Sequence, residues 1–189
     1  MPLSRATPRK LLHLRDIQVR GYERADGLVD IEARILDTKT YSWGNHDRAG
    51  IQAGEALHDM WVRVTIGSDR VIRECEASMD ATPYNVCGGA AASVQSLAGL
   101  KLGKGFMKAA MLQLGGVASC THLRELLQPI ATVAFQTMHS IREHNPGSSE
   151  DKAVRTTAGI QVALLNTCFA YDETGPLAGR AAAKTTTDI

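Results

Sequence analysis

The chain has 189 residues, 44% of them apolar, enough for one domain with a substantial core. Lysine and arginine total 21 against 20 aspartates and glutamates, a balance that lacks the basic surplus of a nucleic-acid binder and leaves small molecules or proteins as expected partners. No apolar run approaches the roughly 18 residues that cross a bilayer, and Met1 to Lys10 lacks the apolar segment of a secretion signal, so a cytoplasmic protein without a membrane partner is expected.

Residues 1 to 10 mix Pro, Ser, Arg and Lys without periodicity and read as a mobile tail. Residues 11 to 175 read as a single α+β domain, and 176 to 189 as a frayed tail. The clearest strand is Leu28 to Leu36, where Val29, Ile31, Ala33 and Ile35 alternate with Asp30, Glu32 and Arg34. That period of two marks a half-buried strand. His13 to Arg24 alternates more loosely through Ile17 and Val19, and Arg24-Ala25-Asp26-Gly27 turns it into the next strand as a hairpin. A second hairpin is predicted from Leu57 to Ile66 and Val71 to Met79, joined at Gly67-Ser68-Asp69-Arg70.

Glycines at 88, 89, 99, 103 and 105 mark the change from strands to helices. Short helical pieces are predicted at Ala90 to Leu97 and Phe106 to Leu114, and a long one from Thr121 to about His144, bent at Pro129. Asn145 to Ser149 ends it, a further helix is predicted from about Asp151 to Leu165, then an extended Asn166 to Tyr171 and a turn at Asp172 to Pro176. The resulting fold class is α+β: an antiparallel four-stranded sheet of two hairpins with the later helices on one face, a two-layer sandwich.

The alternation also assigns directions. Asp30, Glu32, Arg34, Arg63, Glu74 and Glu76 fall opposite the aliphatic positions, the pattern of a solvated charge ladder. His58 shares its parity with Met60, Val62 and Val64 and should point at the helices, either as a core histidine with a partner or as a functional base. The other candidate locus is Gly115-Gly116 running through Cys120, Thr121 and His122. A helix start favours a thiolate and binds oxyanions. The same residues also read as a plain helix start, with Ser119 or Thr121 as cap, Cys120 packed and His122 on the surface. Cys75, Cys87, Cys120 and Cys168 fit no standard zinc spacing, and Gly103-Lys104-Gly105 lacks the rest of a phosphate loop.

Tyr22 to Glu32, Asp37-Thr38-Lys39, Gly54 to Arg63, Pro83-Tyr84 with Cys87, and Cys120 to Leu127 follow one another in an order that resembles the bacterial family catalogued as domain of unknown function 2889, over roughly residues 11 to 175. Ala118-Ser119 before Cys120 departs from the glycine usual there. The resemblance implies a bacterial protein of a group partly associated with breakdown of lignin-derived aromatics. On it rests the expectation of a cofactor-independent carbon–carbon or carbon–oxygen lyase that releases formaldehyde from a hydroxymethyl-bearing aryl dimer by acid–base chemistry. His58 or His122 would be the base, Tyr22 or Tyr84 the acid, and Arg24, Arg63, Cys120 and Thr121 would hold the substrate. No metal or other cofactor is assigned, and a homo-oligomer is one of the partner states considered. A weaker resemblance to iron–sulfur scaffolds of the IscU/SufU type implies the alternative, zinc or cluster binding by Cys87, Cys120 and His122 with Cys168 as a further ligand. A ligand-binding or structural module is the third class.

Overall fold

Period-two patterning becomes four strands in the computed structural model, which describes residues 3–144 and 165–177. They are β1 (His13–Glu23), β2 (Val29–Lys39), β3 (Ala56–Ile66) and β4 (Ile72–Ala81), paired antiparallel in chain order as a meander. The first turn closes through the Gly27 N–H to the Arg24 carbonyl at 3.1 Å, with Gly27 at φ +83, a conformation that glycine adopts without penalty. Along β2 every second residue from Val29 is buried. Ile31, Ile35, Met60, Val62 and Ile66 are fully shielded, each such side chain stabilising the fold by about 1.5–3 kcal/mol.

The helices cover that face alone. Asn85–Leu97 forms 3₁₀ turns beside β4, followed by α1 (Phe106–Leu114), α2 (Thr121–Glu125) and α3 (Leu127–His144). The expected piece at 90–97 therefore starts earlier and winds tighter. Its two buried residues, Val94 and Leu97, are three apart, a spacing that three residues per turn places on one face. α3 packs on β1 and β2, and it approaches closely at Gly21, where a Cβ would lie 1.8 Å from Thr137 Oγ1. The long helix expected from 121 is broken at Leu126 rather than bent at Pro129. Proline lacks the N–H that would bond the carbonyl four residues back, and its ring crowds that carbonyl, here Glu125. Pro129 itself sits in the first turn of α3, where its ring is tolerated.

Residues Met1–His144 and Asn145–Ile189 form separate compact units. In the second, the segment expected to be extended is a 3₁₀ turn at Phe169–Tyr171, because Asn166 takes φ +59 and its N–H bonds the Tyr171 carbonyl at 2.8 Å. The turn at 172–176 is present, with the Gly175 N–H on the Asp172 carbonyl at 2.9 Å. The end of the long helix expected at 145–149 and the helix expected from about Asp151 to Leu165 lie outside the described residues except for Leu165, a turn residue. Among the described residues no helix is long and apolar enough to cross a membrane.

Candidate active site

Two positions beyond Ile35, the buried parity of β2 reaches Asp37, which is fully shielded from solvent. Strand register sets Arg15 of β1 opposite it on one side and His58 of β3 on the other. Just past this row the pairing slips: Thr38 meets Ala56, which leaves Leu57 as the extra residue of a bulge. Leu57 and His58 are consequently both buried. Bulges re-aim side chains in this way and are common beside active sites.

Three side chains converge on the Asp37 carboxylate through four polar contacts. Arg15 donates Nε–H to Oδ1 and Nη2–H to Oδ2, both at 2.7 Å, a bidentate pair. His58 Nδ1 lies 2.8 Å from Oδ2 and His13 Nε2 lies 3.3 Å from Oδ1. Burial alone would push this carboxyl up, but the Arg15 and His58 hydrogen bonds and the Arg15 charge outweigh it and hold it at about 2. Asp37 is thus an acceptor only, which fixes the His58 tautomer: Nδ1 carries the proton and Nε2 the lone pair. Burial lowers the His58 pKa below its ordinary value against the pull of Asp37, so the ring is a neutral base at neutral pH. No buried side-chain nitrogen or oxygen among the described residues lacks a partner, so Nε2, which no group of the described residues engages, keeps solvent access.

His122 arrives from the helical layer, its ring centroid 3.8 Å from that of His58 and tilted by 35°. Several bonds hold it there. Arg15 reaches on through Nη1 to Glu125 of α2, and Arg124 donates to the carbonyls of Leu114 and Gly116 at 3.0 and 3.3 Å. The Ser93 and Ser119 hydroxyls bond at 2.7 Å. The turn out of α1 needs both of its glycines: a Cβ on Gly115 would sit 2.5 Å from the Met111 carbonyl oxygen, and Gly116 takes φ +59.

Cys120 Sγ lies 3.5 Å from His122 Nδ1. Burial works to raise the thiol pKa, yet His122 and the backbone N–H groups of Leu123 and His122 prevail and lower it. Cys75, buried on the sheet, is instead pushed up to about 12 by burial. Cys120 is partly exposed, so the row Arg15, Asp37, His58, His122, Cys120 runs from a shielded ion pair to an accessible thiol.

The same row offers metal-ligand atoms on Asp37, His58 and His122 within 4.8 Å of one another. The donor set fits a cation poorly, because Arg15 occupies both Asp37 oxygens and brings a fixed positive charge. His58 and His122 with Cys120 are the residues left to ligate a metal.

Of the expected site residues, the structure groups His58, His122 and Cys120, with Thr121 beside them as the first residue of α2. Tyr22 and Arg63 are not with them. Tyr22 pairs with Asp30 and Arg63 with Glu32 in register, on the face away from the helices, because their parity is opposite to that of Val19 and Val62. Arg24 is engaged by Asp26 and Asp30 at that face. Tyr84 is exposed ahead of the 3₁₀ segment, where the neighbouring Pro83 carbonyl takes a bond from Asn45. Cys87 lies within the 3₁₀ segment and Cys168 belongs to the second unit. Asp37, Arg15 and His13 were not expected; the parity of β2 carried past Ile35 would have found Asp37.

No curated protein and no solved structure matches this chain. The family described as "Protein of unknown function (DUF2889)" matches residues 13–136, a span that holds every member of the row from Arg15 to Cys120, and the chain belongs to that family.

Proposed function

We propose that the chain is an acid–base enzyme, a cofactor-independent lyase of the cytoplasm acting on a lignin-derived aromatic that bears a hydroxymethyl group. The observation that carries the acid–base part is the 2.8 Å bond from His58 to a fully shielded, ionised Asp37. It orients the ring, fixes its tautomer and leaves Nε2 free to take a proton, the arrangement that makes histidine an effective general base. The aromatic substrate class comes from the family resemblance.

In the proposed reaction His58 Nε2 takes the proton of the hydroxymethyl group. The oxygen then forms the carbonyl of formaldehyde as the carbon–carbon bond breaks. The released electron pair forms a double bond to the neighbouring carbon and expels an oxygen leaving group, which His122 protonates. No electrons are gained or lost overall, so no oxidant is required. His122 takes the acid role first sought in Tyr22 or Tyr84.

Metal binding is the second reading, favoured by the closeness of His58, His122 and Cys120, the ligands that Arg15 leaves free. Purified protein screened against hydroxymethyl-bearing aryl dimers is expected to release formaldehyde, with zinc and iron far below one per chain. His58→Gln should lower turnover by roughly 10²- to 10⁴-fold with little change in melting temperature. One tightly held metal per chain that disappears in His122→Ala would replace this reading with the second, and full activity in His58→Gln would remove the base.

A further inference from the structure

A second feature lies at the other end of the sheet, separated from His58 by the length of β3, about 26 Å at 3.3 Å per residue. Here the turn between β3 and β4 meets α1 and α3 around a cavity of about 180 Å³. Its walls are Leu102, Phe106, Met107, Phe135 and Met138, and its charged member is Arg70. An apolar cavity of about 150 Å³ accommodates benzene, so this one has room for a single ring with a small substituent.

Arg70 breaks a local rule to be there. It closes the Gly67–Arg70 turn at φ +66, a left-handed position that suits glycine or asparagine and strains an arginine. Its backbone is fixed on both sides, the N–H to the Gly67 carbonyl at 2.9 Å and the carbonyl to the Leu102 N–H at 2.9 Å. The guanidinium sits 5.8 Å from the Phe135 ring centroid, and among the described residues no carboxylate pairs with it. Arg15, Arg24 and Arg63, by contrast, each have an acidic partner. A strained, unpaired cation at the rim of an apolar pocket is half of a recognition site, and its missing half is an anion attached to something apolar.

We propose that this pocket binds a single-ring aromatic monocarboxylate of the benzoate class, with the carboxylate on the Arg70 fork and the ring between Phe106, Phe135, Met107 and Met138. The planar fork matches a carboxylate through two parallel bonds. Sulfur and ring edges suit an aromatic face. A phosphate would find one cation and few donors among these walls, which is why the carboxylate is chosen. The inference does not depend on the acid–base reading of the first site.

The full chain, labelled at its methionine methyl groups, is titrated with sodium benzoate and, separately, with benzamide as the neutral isostere. The chain holds six methionines. Met107 and Met138 should shift with benzoate while Met60 and Met79 remain still. Arg70→Asn, which suits the left-handed turn, should weaken benzoate by at least about tenfold and leave benzamide unchanged, the loss of one charge-assisted pair. His58→Gln should bind benzoate as the parent does. Absence of any shift at millimolar benzoate, uniform shifts at all methionines, or an Arg70→Asn chain that binds benzoate as tightly as the parent would each overturn the proposal.

Discussion

On the helix-facing side of the sheet Arg15 bridges Asp37 and Glu125; on the opposite side Arg63 bridges Glu32 and Glu76. The groups are alike and the bond lengths similar, 2.7 Å for Arg15 to Asp37 and 2.8 Å for Arg63 to Glu32. What differs is water. Asp37 is fully shielded, whereas Arg63 is 47% exposed and Glu76 66% exposed. A charge pair about 4 Å apart is worth about 1 kcal/mol in bulk water and about four times that near a protein surface of lower effective dielectric, so only the inner arrangement can displace a pKa strongly and hold a neighbouring imidazole in one tautomer. The outer set, joined by the Arg34–Asp59 pair at 2.6 Å and its stacking over Trp61 at 5.1 Å, is the solvated ladder that β strands present when one face is uncovered.

Removing Asp37 is the most severe way to test that contrast. Asp37→Ala leaves Arg15 and His58 facing each other without the anion that both contact, and breaking a buried ion pair from one side costs about 3–5 kcal/mol. Urea unfolding of the variant should show that loss, and what folded protein remains should lack turnover because the His58 tautomer is no longer fixed. A loss under 1 kcal/mol would mean the inner pair is no more protected than the outer one.

Acidification probes the same pair without mutation. Asp37 has a folded pKa of about 2 against an ordinary 3.8, so the unfolded chain takes up its proton first. Its contribution is complete above about 3.8 and disappears as pH falls through about 2, amounting to about 2 kcal/mol. His58, lowered from an ordinary 6.5 by burial, acts with the same sign: the unfolded chain protonates first, so stability begins to fall as pH drops below that value. Unfolding midpoints should therefore decline in two stages on acidification and stay level between neutral and mildly alkaline pH as far as these groups are concerned. A protein more stable at pH near 5 than at neutrality would contradict the burial assigned to His58.

How much of this was legible in the sequence depends on which physical signal each residue carried. Val29 to Ile35 and His58 to Val64 alternate cleanly, and that alternation placed four strands, one covered face and an inward His58. Asp37 escapes a strand that the pattern ends at Leu36: Asp and Lys are depleted in strands, and nothing short of the paired Arg15 reveals why an aspartate is tolerated at a buried position. Arg15 belongs to the loosest of the alternations, with Ile17 and Val19 as its main guides. Tyr22 and Arg63 have the chemistry of an acid and an anion holder, but their parity points to the other face of the sheet. The break at Leu126 follows from Pro129 only when the ring's clash is traced four residues back. The Arg70 pocket is assembled from three segments distant in sequence, and no local pattern announces it.

The mildest test falls on the outer face. Arg63→Ala removes two exposed ion pairs at once, with Glu32 and with Glu76. Exposed pairs are worth about 0.2–1 kcal/mol each at most and are further weakened by salt. The expected result is a drop in melting temperature of a few degrees or less for a chain of this size, smaller still at high ionic strength, with turnover and its pH dependence unaltered. The two substitutions then separate by both size and kind: Asp37→Ala costs stability and chemistry together, Arg63→Ala a little stability alone. Should Arg63→Ala abolish turnover while the fold survives, the reacting groups would have to be sought on the open face of the sheet, around Arg63, Trp61 and Glu76, and the inner row would be reduced to a structural polar cluster.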